Sequence, residues 1–147
     1  MKRVLSILGG VFAVAIIILI IAVPITNNNV AKETAKRLVD TPLPEQTEYI
    51  ESAYLAGKLV GNGNGMQYFG AILVKSELSL EELNEYYKDR AQNDWEFIVA
   101  KQAGNNIAVI EHGELSFQSD IVSDGYYIVY SWGNSNNIFS ELDLRGH

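Results

Sequence analysis

The sequence predicts an α+β protein: an N-terminal transmembrane helix, then a small antiparallel sheet of about five strands with one helix packed on one face, in the order β-β-α-β-β-β. Three observations predict it. Val4–Ile25 is an apolar run without a single charge. Two β-rich runs flank the turn Gly61-Asn62-Gly63-Asn64-Gly65, and Ser79-Leu80-Glu81-Glu82 opens an amphipathic helical stretch. The chain divides accordingly into residues 1–26 as anchor, 27–46 as juxtamembrane connector and 47–147 as an extracytoplasmic domain.

The first run, VLSILGGVFAVAIIILIIAVPI, is apolar on every side of a helix. At 1.5 Å of rise per residue, its length matches a hydrocarbon core of roughly 30 Å. The remainder of the chain is too small to enclose such a helix, so its solvent is expected to be lipid. A secretory signal has a shorter apolar core ending at a small-x-small site. Pro24-Ile25-Thr26-Asn27 offers no such site, so the sequence predicts an uncleaved anchor. Lys2 and Arg3 abut the run, whereas Lys32, Lys36 and Arg37 begin several residues beyond it. That asymmetry places the N-terminus in the cytoplasm and the domain outside, as a single-pass protein of the cell membrane. Ser6, Gly9, Gly10 and Ala13 gather on one helical face and are candidates for helix–helix contact, as in a weak homodimer. Small residues are also simply common in spans.

The connector offers a short helix over Val30–Val39, with Asn29 as cap and Glu33 four residues before Arg37. A solvated stalk is the plainer expectation. Pro42 and Pro44 end any helix, because each proline restricts the residue before it.

In the domain, Ala53–Val60 and Met66–Val74 read as a hairpin, since Asn-Gly pairs accept the left-handed backbone that tight turns need. Gly57 and Gly70 inside these strands suggest a bulge or a close approach of another backbone. Ser79 and Glu82 form a capping box. Leu80, Leu83, Tyr87 and Arg90 then share a stripe, with Tyr86 beside it and an end near Gln92-Asn93-Asp94. Trp95–Lys101, Ile107–Glu111 and Tyr126–Trp132 read as further strands. Leu115-Ser116-Phe117 suits a short strand or a loop, and Ile138–Leu144 suits helix and strand equally.

Charge narrows the partners. Residues 1–40 carry five basic and two acidic side chains, whereas residues 41–147 carry six and sixteen. So acidic a domain is repelled by phosphate backbones, which excludes nucleic acid as an expected partner. The absence of cysteine removes disulfides, thiolate metal sites, a Cys nucleophile and an acylated lipoprotein cysteine.

Each chemical constellation has a plainer competitor. The Gly61–Gly65 run can aim N–H groups at an anion, yet it lacks a P-loop Lys-Ser/Thr and leads into a strand, so a hairpin turn is preferred. Glu77, Glu81, Glu82, Glu85 and Asp89 lack the loop spacing of a Ca²⁺ site and read as a solvated face, so no metal or cofactor is expected. His112, with Ser116 and Asp120 near in sequence, has no nucleophile elbow, and no catalytic residue is assigned. Tyrosine is in excess, with eight residues. Consecutive Tyr126 and Tyr127 must point to opposite faces, so one lies off the helix-covered face unless both faces are covered. Asn62, Asn64, Tyr68, Tyr127 and Trp132 are therefore the candidate ligand or partner contacts, against the plainer reading that the aromatics fill the core.

The run Ala56-Gly57-Lys58-Leu59-Val60-Gly61-Asn62-Gly63-Asn64-Gly65-Met66-Gln67-Tyr68-Phe69-Gly70, followed by Leu78-Ser79-Leu80-Glu81-Glu82-Leu83, resembles small anchored or secreted proteins of Gram-positive bacteria. That resemblance implies no activity and no functional residues. The expectation is a membrane-anchored domain that binds a protein or ligand without transforming it. The alternatives are a cell-envelope enzyme using carboxylates and His112, or an accessory subunit of a membrane complex.

Overall fold

A computed structural model describes residues 2–90, 95–135 and 138–147. Its first element, α1 (Lys2–Asp40), is one unbroken helix that includes the apolar run and Pro24. The large apolar side chains described between Val4 and Ile21 are 41% to 68% exposed, so no protein interior covers them among the described residues. The other half corrects the expectation of a solvated stalk. Asn27, Ala31, Thr34, Ala35 and Leu38 are buried, at spacings of four, three, one and three that define one helical face. Apart from Leu38, this stripe is made of small and polar residues, so it carries little hydrophobic periodicity to read. Pro42 and Pro44 do terminate the helix as expected.

Four antiparallel strands follow: β1 (Thr47–Gly57), β2 (Gln67–Ser76), β3 (Ile98–Lys101) and β4 (Tyr126–Gly133), in the sheet order β1-β2-β4-β3. A register shift between Tyr49 and Glu51 bulges β1 against Leu73 and Val74. The inner half of α1 packs across β1, β2 and β4, meeting β2 at Gly70 and β4 at Gly133. A side-chain carbon at Gly70 would overlap the Ala35 backbone, and one at Gly133 would overlap the Thr34 hydroxyl. The close backbone approach foreseen for Gly70 is therefore made by α1.

Helix α2 (Leu80–Lys88) begins with the expected capping box. The Glu82 N–H donates to Ser79 Oγ at 3.3 Å, and the Ser79 N–H donates back to Glu82 Oε2 at 2.8 Å. It buries Leu83 and Tyr87 against Ile72, Val74, Val99, Tyr127, Val129 and Leu38. The helix-bearing face thus carries two helices rather than one. The anticipated helix end at Gln92-Asn93-Asp94 falls outside the described residues.

The opposite face is also covered, and here the strand count differs. Ile107–Glu111 is not a strand. A turn closed by Ile110 N–H to Ile107 O, at 3.1 Å, sets Ile107 and Ile110 down on the sheet together. With Leu59 and Phe117 they cover Ala53, Phe69, Ala71, Leu73 and Ile128. Leu115-Ser116-Phe117 makes only an isolated bridge, Asn106 with Ser116. Cover on both faces explains why Tyr68–Val74 is continuously buried instead of alternating. The tail forms a short helix α3 (Ile138–Leu142) and a terminal 3₁₀ turn (Leu144–Gly146).

Candidate functional site

A buried polar network lies where the exposed half of α1 meets the domain. Asn27 is fully buried there. Its Nδ2 donates to Asp143 Oδ2 at 2.8 Å and to the Phe139 carbonyl at 3.0 Å, and its Oδ1 accepts from the Tyr68 hydroxyl at 2.9 Å. Arg145 grips Asp143 through two nitrogens, Nε to Oδ1 at 2.9 Å and Nη2 to Oδ2 at 2.7 Å. The same guanidinium donates to Asn28 Oδ1 at 2.9 Å and to the Pro24 carbonyl at 3.3 Å. These bonds hold the Asp143 carboxyl down at about 2, with Arg145 the largest cause and burial opposing it. Burial pushes the Tyr68 phenol up. Each side chain in this chain of bonds has another protein group as its partner, so what it does chemically is fasten: it ties the tail to α1 and both to β2.

The glycine-rich loop lies at the same end of the sheet, held by the tail. Lys58 N–H donates to the Arg145 carbonyl and Gly65 N–H to the Gly146 carbonyl, each at 2.7 Å. Gln67 Oε1 accepts from Leu59 N–H at 2.7 Å and Val60 N–H at 2.8 Å, while Glu111 Oε2 accepts from Gly61 N–H at 2.8 Å. Amides already bonded to a carboxylate and to carbonyls do not form an anion cradle. Asn62 and Asn64 stand exposed at the tip. His112 Nε2 lies 2.8 Å from the Gly61 carbonyl, so its ring helps to close this loop.

At the other end of the sheet, β3 and β4 frame a cleft of about 670 Å³ lined by Lys101, Gln102, Ala103 and residues 121–127. Val122 at its lip is 84% exposed. The Lys75 ammonium lies 5.4 Å above the Tyr126 ring beside it. Its lining sets the Lys101 ammonium, the Asp124 carboxylate and the Tyr126 and Tyr127 rings beside the exposed Val122, a mixed polar and apolar surface of the kind that suits contact with another molecule.

The other predicted contacts do not gather in one place: Tyr68 belongs to the buried polar network and Tyr127 to the cleft lining. Tyr68 and Tyr127 are interior residues, the latter donating its hydroxyl to the Leu78 carbonyl at 3.0 Å. Trp132 packs edge-on against Phe69 with ring centroids 5.1 Å apart. Ser6, Gly9, Gly10 and Ala13 are exposed, and a side-chain carbon at Gly9 or Gly10 would meet nothing. Among the described residues, no three His, Asp or Glu side chains gather as a metal site. Sequence reasoning missed Asn27, Asp143 and Arg145, whose only trace is a polar triplet ending the apolar run and an Asp-x-Arg pair over a hundred positions later.

No family model matches this chain, and no curated protein or solved structure is similar to it.

Proposed function

We propose that this is a single-pass membrane protein that holds a small α+β domain outside the cytoplasm, close above the bilayer, and binds a protein or ligand there without transforming it. The observation that carries the reading is α1 itself. One helix is exposed and apolar over its first half and is core over its second. Left in water, its large apolar side chains would each forgo about 1.5–3 kcal/mol of burial, a sum larger than the stability of a small domain. Lipid removes that cost. Lys2 and Arg3 at the outer end of the span favour a cytoplasmic N-terminus. The distal cleft around Val122 and Tyr126 and the exposed tip at Asn62 and Asn64 are the surfaces left for a partner.

The chain has no cysteine, so Gly63→Cys places a unique thiol on the exposed tip. In intact cells an impermeant maleimide is expected to label this variant, and the protein should resist extraction by alkaline carbonate. Labelling only after lysis reverses the sidedness. Recovery in the aqueous fraction, or a mature chain beginning past Pro24, removes the anchor. The open space at Gly9 and Gly10 favours a second reading, an accessory subunit docking through that face, for which Gly10→Ile would abolish helix–helix association in detergent.

A further inference from the structure

We infer that the tail from Ile138 to Leu144 is a second lipid-binding element, an apolar wedge seated in the hydrocarbon edge of the same bilayer that α1 crosses. The inference rests on the transmembrane reading of α1 and adds a second region of lipid contact to it.

Three observations lead there. Outside the apolar run, five aliphatic side chains are strongly exposed: Val39, Val122, Ile138, Leu142 and Leu144. Three of the five fall within seven residues of the tail, with Leu144 at 86% exposure. This clustering also sits in one place: Leu142 and Leu144 share a single apolar groove with Leu19, Ile20, Val23 and Pro24. Finally, the segment is two-sided. Asp143 and Gly146 turn inward and are buried, while Leu142 and Leu144 turn out.

Depth along the helix identifies the occupant. With Lys2 and Arg3 fixing the far boundary, the hydrocarbon ends near Val23, so Leu19 lies roughly 6 Å inside it at 1.5 Å per residue. Side chains that share a groove with Leu19 and Ile20 are therefore at acyl depth. Arg145 sits at the level of Pro24 and Asn28, where its guanidinium meets the headgroups while its stem stays apolar. The exposed charge in the segment is Glu141, and the other carboxylate, Asp143, is neutralised by Arg145. Apolar residues against lipid, with the Arg145–Asp143 ion pair at headgroup level, is the pattern of an interfacial anchor.

Full-length protein carrying a single cysteine at Leu144, Val122 or Ile17 tests this after labelling with an environment-sensitive nitrobenzoxadiazole probe and reconstitution into phosphatidylcholine vesicles. Leu144 and Val122 are almost equally exposed, at 86% and 84%, but stand at opposite ends of the domain. The Leu144 probe is expected to emit to the blue of the Val122 probe and to lose intensity with lipids carrying a nitroxide high on the acyl chain, while Val122 is unaffected. The Ile17 probe reports the span itself, through quenching by a mid-chain nitroxide. Quenching at Ile17 with Leu144 behaving like Val122 overturns the wedge and leaves the span intact. Silence at all three positions means that the transmembrane reading has failed. A blue-shifted but nitroxide-insensitive Leu144 overturns the inference in favour of a second copy of the chain covering the groove. Ile138→Cys provides an independent position in the same segment, with the same two outcomes.

Discussion

Gly70 and Gly133 set how close α1 comes to the sheet, because the Ala35 backbone and the Thr34 hydroxyl occupy the space where their side chains would be. Gly70→Ala should therefore cost at least about 2 kcal/mol through displacement of the helix, a strain that side-chain rotation cannot relieve. Thermal unfolding of the detergent-solubilised chain measures it, and an unchanged midpoint would mean that α1 does not rest there. Tyr87 is the reverse case. Its hydroxyl is buried with no hydrogen-bond partner among the described residues, and burial pushes the phenol up to about 12. Tyr87→Phe is expected to leave the midpoint unchanged or raise it, since it removes an unsatisfied polar group and keeps the ring. In the parent chain the folded phenol holds its proton more tightly than an unfolded one with a value near 10, so stability should fall as pH rises above about 10, and Phe should abolish that part of the loss.

Asp143 titrates in the opposite sense. Its folded value of about 2 lies below the ordinary 3.8, so its contribution is complete above that ordinary value and is lost as pH falls toward 2. After screening at a partly exposed partner, the loss is of the order of 1 kcal/mol. Asp143→Asn should reproduce it at neutral pH and leave the acid limb flatter, as followed by hydrogen exchange of the tail's Gly146 amide and of the Lys58 amide that donates to the Arg145 carbonyl.

At the scale of elements, legibility in the sequence followed how local each cause is. The start of α2 is encoded within four residues, by a hydroxyl and a carboxylate that satisfy each other's backbone, and it was read correctly. Ser79→Ala should cost about 1 kcal/mol, measurable as a lowered unfolding midpoint. The β1–β2 hairpin and β4 were legible from their turns and aromatic runs. By contrast, the inner half of α1 buries Asn27, Ala31, Thr34 and Ala35 ahead of Leu38, and none of those four is strongly apolar. Its seat is two glycines on distant strands, so nothing in its own sequence marks it as core. Ile107–Glu111 has strand composition but uses it in a turn, because the central strand's second face needed a lid. The polar fastening joins Asn27 to Asp143, and no local pattern encodes a pair that far apart.

For the whole molecule, the consequential feature is the absence of any hinge in α1. A proline inside a helix is where bending normally occurs. Here the carbonyl of Pro24 is held by Arg145, and the next turn is tied to the tail through Asn27. Span and domain should therefore move as one rod. On the proposed transmembrane reading, the rod from Pro24 to Asp40 would rise about 24 Å above the lipid, so a 20° change in tilt would carry its upper end sideways by roughly 8 Å. A thicker or thinner bilayer would in this way steer the far cleft like the tip of a lever, converting membrane dimension into the reach of a binding surface.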